Sequence, residues 1–105
     1  MYIKEYSEFL SKTIDYSEYS NYNIIDFTNK EINIIHSIKL KNSIHLNMNY
    51  LPKQISFGTS SFTETIFKIE DEWYLIKRET LHDEYYYKID GFDGLLDYIN
   101  KYFAK

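Results

Sequence analysis

The residues of this sequence with chemistry to offer are three histidines and a set of clustered acids. His36 stands in Ile32-Asn33-Ile34-Ile35-His36-Ser37-Ile38, where it is the one ionisable residue on an otherwise apolar alternating face. A catalytic base needs a nucleophile within reach and an acid to orient it. No motif supplies either, so His36 reads as a satisfied histidine of the core or its rim. His45 and His82 fall on a solvent face and in a loop, and the three lack metal-ligand spacing; HExxH is absent. The acids form Glu70-Asp71-Glu72, Asp83-Glu84 and the set Asp90, Asp93 and Asp97. Oxygen donors of this kind can hold a hard cation, but the spacing is not that of an EF-hand. A charged turn, a loop and a capped helix account for all eight. There is no cysteine, which excludes disulfides, thiol catalysis, Cys-ligated zinc and iron–sulfur clusters. Glycine-rich phosphate loops, nucleophile elbows and Walker patterns are absent as well. The expectation is a non-enzyme without cofactor, metal or catalytic residues.

What remains is recognition. The net charge of -4 belongs entirely to residues 61–105, where six bases face ten acids; residues 1–60 balance at six of each. An acidic end repels phosphate backbones, which argues against nucleic acid and for a basic protein partner. A second candidate surface is the set Tyr74, Ile76 and Tyr86 with Lys68, Arg78 and Lys88, expected on the sheet face turned away from the helices. Aromatics beside cations resemble single-strand nucleic-acid platforms, but Tyr with Arg also suits a protein interface. The candidate interaction residues are therefore Glu70, Asp71, Glu72, Tyr74, Arg78 and Tyr86.

The elements that must position these groups follow from periodicity. Residues 2–14 place Ile3, Tyr6, Phe9, Leu10 and Ile14 at helical spacing, with Glu5, Glu8 and Lys12 opposite. Residues 15–22 (DYSEYSNY) read as a loop whose rings rest on the domain, and 23–28 as a short strand. Alternation predicts strands over 32–40 and 44–50, paired through the turn Lys41-Asn42-Ser43, with Pro52 closing the second. A further hairpin turns at Glu70-Asp71-Glu72, pairing Ile69 with Trp73, Phe67 with Leu75, Lys68 with Tyr74 and Glu64 with Arg78. In the last strand Tyr85, Tyr87 and Ile89 are expected to join the Trp73/Leu75 face. A helix follows, capped by Asp90, with Phe92, Leu95, Leu96, Ile99 and Phe103 as its buried stripe. Gly91 and Gly94 let the strand end and the helix start approach closely. Trp73, Phe67, Leu75, Leu95, Leu96 and Ile99 are the expected centre of the core.

These 105 residues, 44% of them hydrophobic, suit one globular domain. The predicted fold class is α+β: an antiparallel meander of five to seven strands with N- and C-terminal helices packed on one face. No signal-peptide core is visible, and no apolar run approaches the roughly 18 residues of a membrane span. A soluble intracellular protein, in a host cell or virion if viral, is expected. Valine is absent, arginine and alanine occur once each, and Ile, Asn, Lys, Tyr and Phe dominate, all read from A/T-rich codons. The segment Asp71-Glu72-Trp73-Tyr74, followed by Tyr86-Tyr87-Lys88-Ile89-Asp90 and Gly94-Leu95-Leu96, resembles a C-terminal pattern of uncharacterised small proteins of AT-rich large DNA viruses. That resemblance implies a virus-encoded hairpin–strand–helix module. The order helix, antiparallel strands, helix is also similar to the layout of frataxin, whose acidic first helix binds iron. The leading expectation is a non-enzymatic module that binds a protein partner, or a second copy of itself, through acidic loops or the aromatic sheet face. The alternatives are an acidic immunity protein neutralising a basic toxin, and a metal or small-ligand binding domain.

Overall fold

A computed structural model describes residues 12–105. The helix expected over 2–14 lies outside the described residues as far as residue 11, and its last three positions, Lys12–Ile14, are not helical but a strand paired with the last strand of the sheet. Among the described residues, seven strands form one antiparallel sheet: β1 (Lys12–Ile14), β2 (Ile24–Ile25), β3 (His45–Asn47), β4 (Ile55–Gly58), β5 (Phe62–Ile69), β6 (Trp73–Thr80) and β7 (Glu84–Asp90). Three α-helices accompany them: α1 (Tyr16–Asn21), α2 (Asn29–His36) and α3 (Phe92–Tyr102). The spatial order is β1-β7-β6-β5-β4-β3, and β2 pairs with the end of β5 beyond the reach of β4. The expected α+β class with an antiparallel sheet is the one observed.

The β5–β6 hairpin is the spine. Its register pairs Ile69 with Trp73, Phe67 with Leu75, Lys68 with Tyr74 and Glu64 with Arg78, as the alternation predicts. The turn Glu70–Glu72 is a single 3-10 turn in which Glu72 takes a left-handed φ of 60°. The Glu72 carbonyl accepts the Gly91 N–H at 2.8 Å, tying the hairpin tip to the start of α3. Gly91, with φ 79° and ψ 152°, occupies backbone space that is essentially reserved for glycine. It is the residue before the helix, so Asp90 is not the cap. Gly94 does allow the expected close approach, since a Cβ there would lie 3.3 Å from Ile89 Cγ2.

The sheet is buried on both sides, which explains where the sequence reading of its faces failed. One side carries Ile66, Tyr74, Ile76, Tyr87 and Ile89, with Ile55 and Phe57 of β4; α3 covers it with Leu95, Tyr98 and Ile99, and α2 with Ile35. Fully burying each of these aliphatic side chains contributes about 1.5–3 kcal/mol. The other side carries Ile69, Leu75 and Tyr86, with Phe67 and Trp73 half-buried, and α1 lays Tyr19 and Tyr22 on it. The α3 side is therefore the face of Tyr74, and Trp73 and Phe67 belong to the second cluster. Leu96 is half-buried on the margin of the first. Strand β7 is one residue out of the expected register: Tyr74 meets Ile89, Ile76 meets Tyr87 and Leu75 meets Lys88. Tyr87 and Ile89 thus join the Tyr74 face, and Tyr86 and Lys88 the Trp73 face.

Two helices replace expected irregular or extended structure. Residues 29–36 are helical because Thr28 and Glu31 close a capping box: Thr28 Oγ1 accepts the Glu31 N–H at 3.2 Å, and Glu31 Oε1 accepts the Thr28 N–H at 2.8 Å. His36 ends α2 in an exposed position and not on an apolar strand face. With 29–36 helical, β3 pairs with β4 instead, Leu46 opposite Phe57. The tyrosine-rich segment is α1, whose cap Asp15 accepts the Glu18 N–H at 2.9 Å and the Ser17 hydroxyl at 2.7 Å.

Candidate functional site

The expected outward surface of Tyr74, Arg78 and Tyr86 does not exist. Tyr74 is 0%, Arg78 2% and Tyr86 8% exposed, and Tyr86 lies on the opposite side of the sheet from the other two. The physical cause is the inverted assignment of faces: α3 covers the side expected to be open. Tyr86 packs against Tyr19, with ring centroids 4.6 Å apart, and its hydroxyl donates to Glu84. Of the remaining candidates, Glu70 and Glu72 are exposed at the hairpin tip, and Asp71 is the middle residue of that turn.

Buried on the α3 side are two triads, each made of a glutamate, a cation and a tyrosine. In the first, α2 supplies Glu31 and the hairpin supplies Lys68 and Tyr74. Lys68 Nζ donates to Glu31 Oε1 at 2.8 Å and the Tyr74 hydroxyl donates to Oε2. Burial pushes the Glu31 carboxyl upward, but the hydrogen bonds from Lys68, the Thr28 N–H and Tyr74 outweigh it and hold it below the ordinary glutamate range. Burial, together with the bond to Glu31, pushes the Tyr74 hydroxyl well up. In the second triad the hairpin supplies Glu64 and Arg78, and α3 supplies Tyr98. Arg78 Nε donates to Glu64 Oε2 at 2.6 Å, and the charged Nη2 lies 2.5 Å from the same oxygen. The Tyr98 hydroxyl lies 2.6 and 2.8 Å from the two carboxylate oxygens. The Arg78 guanidinium also sits 3.7 Å over the Phe62 ring. Burial pushes the Glu64 carboxyl above its ordinary range, against the pull of Arg78 and Tyr98. Both triads pin a helix to the sheet; the Glu64 triad is closed to solvent, whereas the Glu31 and Lys68 side chains keep about a tenth of their surface.

On the α1 side, an open cleft of about 290 Å³ lies between the end of α1 and the β5–β6 turn, lined by Asn21, Tyr22, Asn23, Ile69, Glu70, Trp73 and Lys88. Trp73 opens β6 and Lys88 lies diagonally across from it on β7, because Leu75 is the direct partner of Lys88. Lys88 Nζ sits 4.3 Å from the centroid of the Trp73 ring. It donates to the Tyr22 hydroxyl at 2.7 Å, and that hydroxyl donates to Glu18 Oε2 at 2.6 Å. The result is a fixed ammonium at an aromatic wall in a cleft that Asn21, Asn23 and Glu70 also line. This set can hold and orient a polar group. It contains neither a nucleophile paired with a base nor an activated acid.

Among the described residues, no group of three or more His, Cys, Asp or Glu side chains is placed to hold a metal ion, and no helix is long and apolar enough to cross a membrane. No family model, curated protein or solved structure matches the chain. Sequence reasoning singled out Lys88 and Glu70 but not Tyr22, Asn21 or Asn23, nor the two anchors Glu31 and Tyr98. One signal was available: Thr28-Asn29-Lys30-Glu31 has the capping-box spacing ahead of an apolar run. The cleft has no comparable local signature, because it depends on where α1 lands.

Proposed function

We propose that the protein is a non-enzymatic interaction module that binds a protein partner at the end of the sheet where the β5–β6 turn meets α1. The observation that supports this reading is the adjacency of the cleft at Trp73, Tyr22 and Lys88 to the exposed acids Glu70 and Glu72. An aromatic-walled concavity with a few fixed polar groups is the usual form of a binding site, and tryptophan and tyrosine are the residues on which interface energy concentrates. The acidic rim favours a basic partner and acts on the rate of encounter more than on the final affinity. The A/T-rich residue usage is compatible with a viral source.

The test is binding to a captured partner, measured by calorimetry for the parent chain and for two variants. Glu70→Lys/Glu72→Lys should slow association and flatten its salt dependence. Trp73→Ala should weaken the complex by about 2 kcal/mol or more if the cleft is the anchor. Unchanged binding in both variants, with melting temperatures preserved, would remove this end of the sheet from the interface.

A further inference from the structure

We infer that the cleft recognises the free carboxylate at the end of a peptide chain. The inference rests on the binding reading above and assigns its ligand chemistry. Lys88 is a half-buried lysine of the inner strand β7, immobilised in an unusual way. One ring, that of Trp73, and the Tyr22 hydroxyl fix its ammonium, although a free lysine side chain is among the most mobile on a protein surface. Among the described residues, Tyr22 is the acceptor at this ammonium, which carries three donors. The cleft lies on the same ammonium, so a ligand there meets a pre-positioned cation whose ordering cost is already met within the fold.

The neighbours of Lys88 narrow the ligand further. Asn21 and Asn23 also line the cleft, and the asparagine carboxamide is of a donor type that suits a carboxylate oxygen or a terminal backbone carbonyl. Trp73, Tyr22 and Ile69 form the apolar wall for one side chain. The volume of about 290 Å³ stands at the foot of the range of roughly 300–1,000 Å³ for small-molecule sites. It suits one terminal residue with the chain leaving across the rim. That rim is Glu70, followed by the exposed Glu72, so a lysine or arginine just before the terminal residue finds a complementary charge. A nucleic-acid phosphate also seeks a lysine, but it would bring its negative backbone against these acids.

The experiment uses the full chain and two arrays of random heptapeptides, one with free carboxyl termini and one with the same peptides amidated. Trp73 is the only tryptophan, so its fluorescence gives dissociation constants for every peptide selected. The expected result is selection from the free-carboxylate array alone, with basic residues enriched before the terminal position. Amidation should weaken binding at least tenfold. Lys88→Met should do the same, and Lys88→Arg should retain most of the affinity; thermal melts confirm that both variants fold. Equal selection from both arrays would overturn the carboxylate assignment while leaving the binding site in place. Selection from neither array, or full affinity in Lys88→Met, would also overturn the assignment. In those cases the Trp73→Ala and charge-reversal measurements on the captured partner still decide the broader reading independently.

Discussion

The two glutamate triads use the same three kinds of group with the roles exchanged. They share one face of one hairpin: Lys68 opposite Tyr74, then Ile66 opposite Ile76, then Glu64 opposite Arg78. At the β2 end the helix contributes the acid, and that acid also closes the capping box of α2. At the other end the acid belongs to the sheet, and α3 contributes only a hydroxyl. The Glu31 and Lys68 side chains keep about a tenth of their surface, 10% and 12%, whereas Glu64 and Arg78 keep 0% and 2%. Where water still reaches the pair, a lost partner can be partly replaced by solvent. Where it does not, the remaining charge is stranded. The same pattern of residues is thus a helix start in one place and an enclosed lock in the other.

The largest expected effect comes from opening the lock. Glu64→Ala should cost about 3–5 kcal/mol in urea denaturation, because Arg78 is left buried without its carboxylate. The double change Glu64→Leu/Arg78→Met should recover most of that loss, since exchanging an enclosed ion pair for apolar groups of similar volume is often neutral or better. A double mutant no more stable than Glu64→Ala would show that the pair itself, and not its stranded half, carries the stability. Next, Tyr98→Phe removes one hydroxyl aimed at a charged acceptor and should cost about 1.5–3 kcal/mol. Thr28→Ala acts on the other triad through the helix start alone and should cost about 1 kcal/mol. Equal losses for Tyr98→Phe and Thr28→Ala would erase the distinction between enclosed and accessible anchors.

The smallest effect is a difference in sign with pH. Glu31 titrates lower in the fold than in the unfolded chain, so its stabilisation is complete above the unfolded value of about 4.3 and is lost as pH falls through the lower folded value. Glu64 titrates higher in the fold, so its contribution is complete below that unfolded value and shrinks as pH rises through the folded one. Comparing the parent with Glu31→Gln and with Glu64→Gln from pH 3 to 7 should give stability differences with opposite slopes. Parallel slopes would contradict the opposed environments.

How far the sequence discloses this structure depends on the range of the interaction that decides each feature. The β5–β6 register is legible because a three-residue turn fixes it locally and FTETIFKI and WYLIKRET both alternate. Which side of the hairpin meets α3 is not legible, because Phe67 and Leu75 on one side are as apolar as Ile66 and Ile76 on the other. The helix stripe fits either. Strand β7 slips by one for the same reason: Tyr85, Tyr86 and Tyr87 present a ring at every position and erase the period of two. The error then spreads to the site, since Tyr74 and Arg78 are taken as outward and Lys88 is not matched with Trp73. In residues 29–36 the isoleucines satisfy strand and helical spacing at once, and the capping box decides. The acidic tip survives as a candidate because exposure of a charged turn needs no knowledge of long-range packing.

The pairing of β1 with β7 sets Lys12 against Lys88 and Ile14 against Tyr86, across most of the chain's length. The meander β4–β7, by contrast, is assembled from neighbours in sequence joined by short connections. Closing the long loop carries the larger entropic charge and has to wait for its partner surface. On a ribosome, β1 would leave the exit tunnel long before β7 existed. During synthesis and refolding alike, β1 is therefore expected to dock after the meander has formed, with β5 and β6 amides gaining protection ahead of β1 in pulse-labelled hydrogen exchange. Simultaneous protection would instead place the closure of β1 on β7 within the folding nucleus.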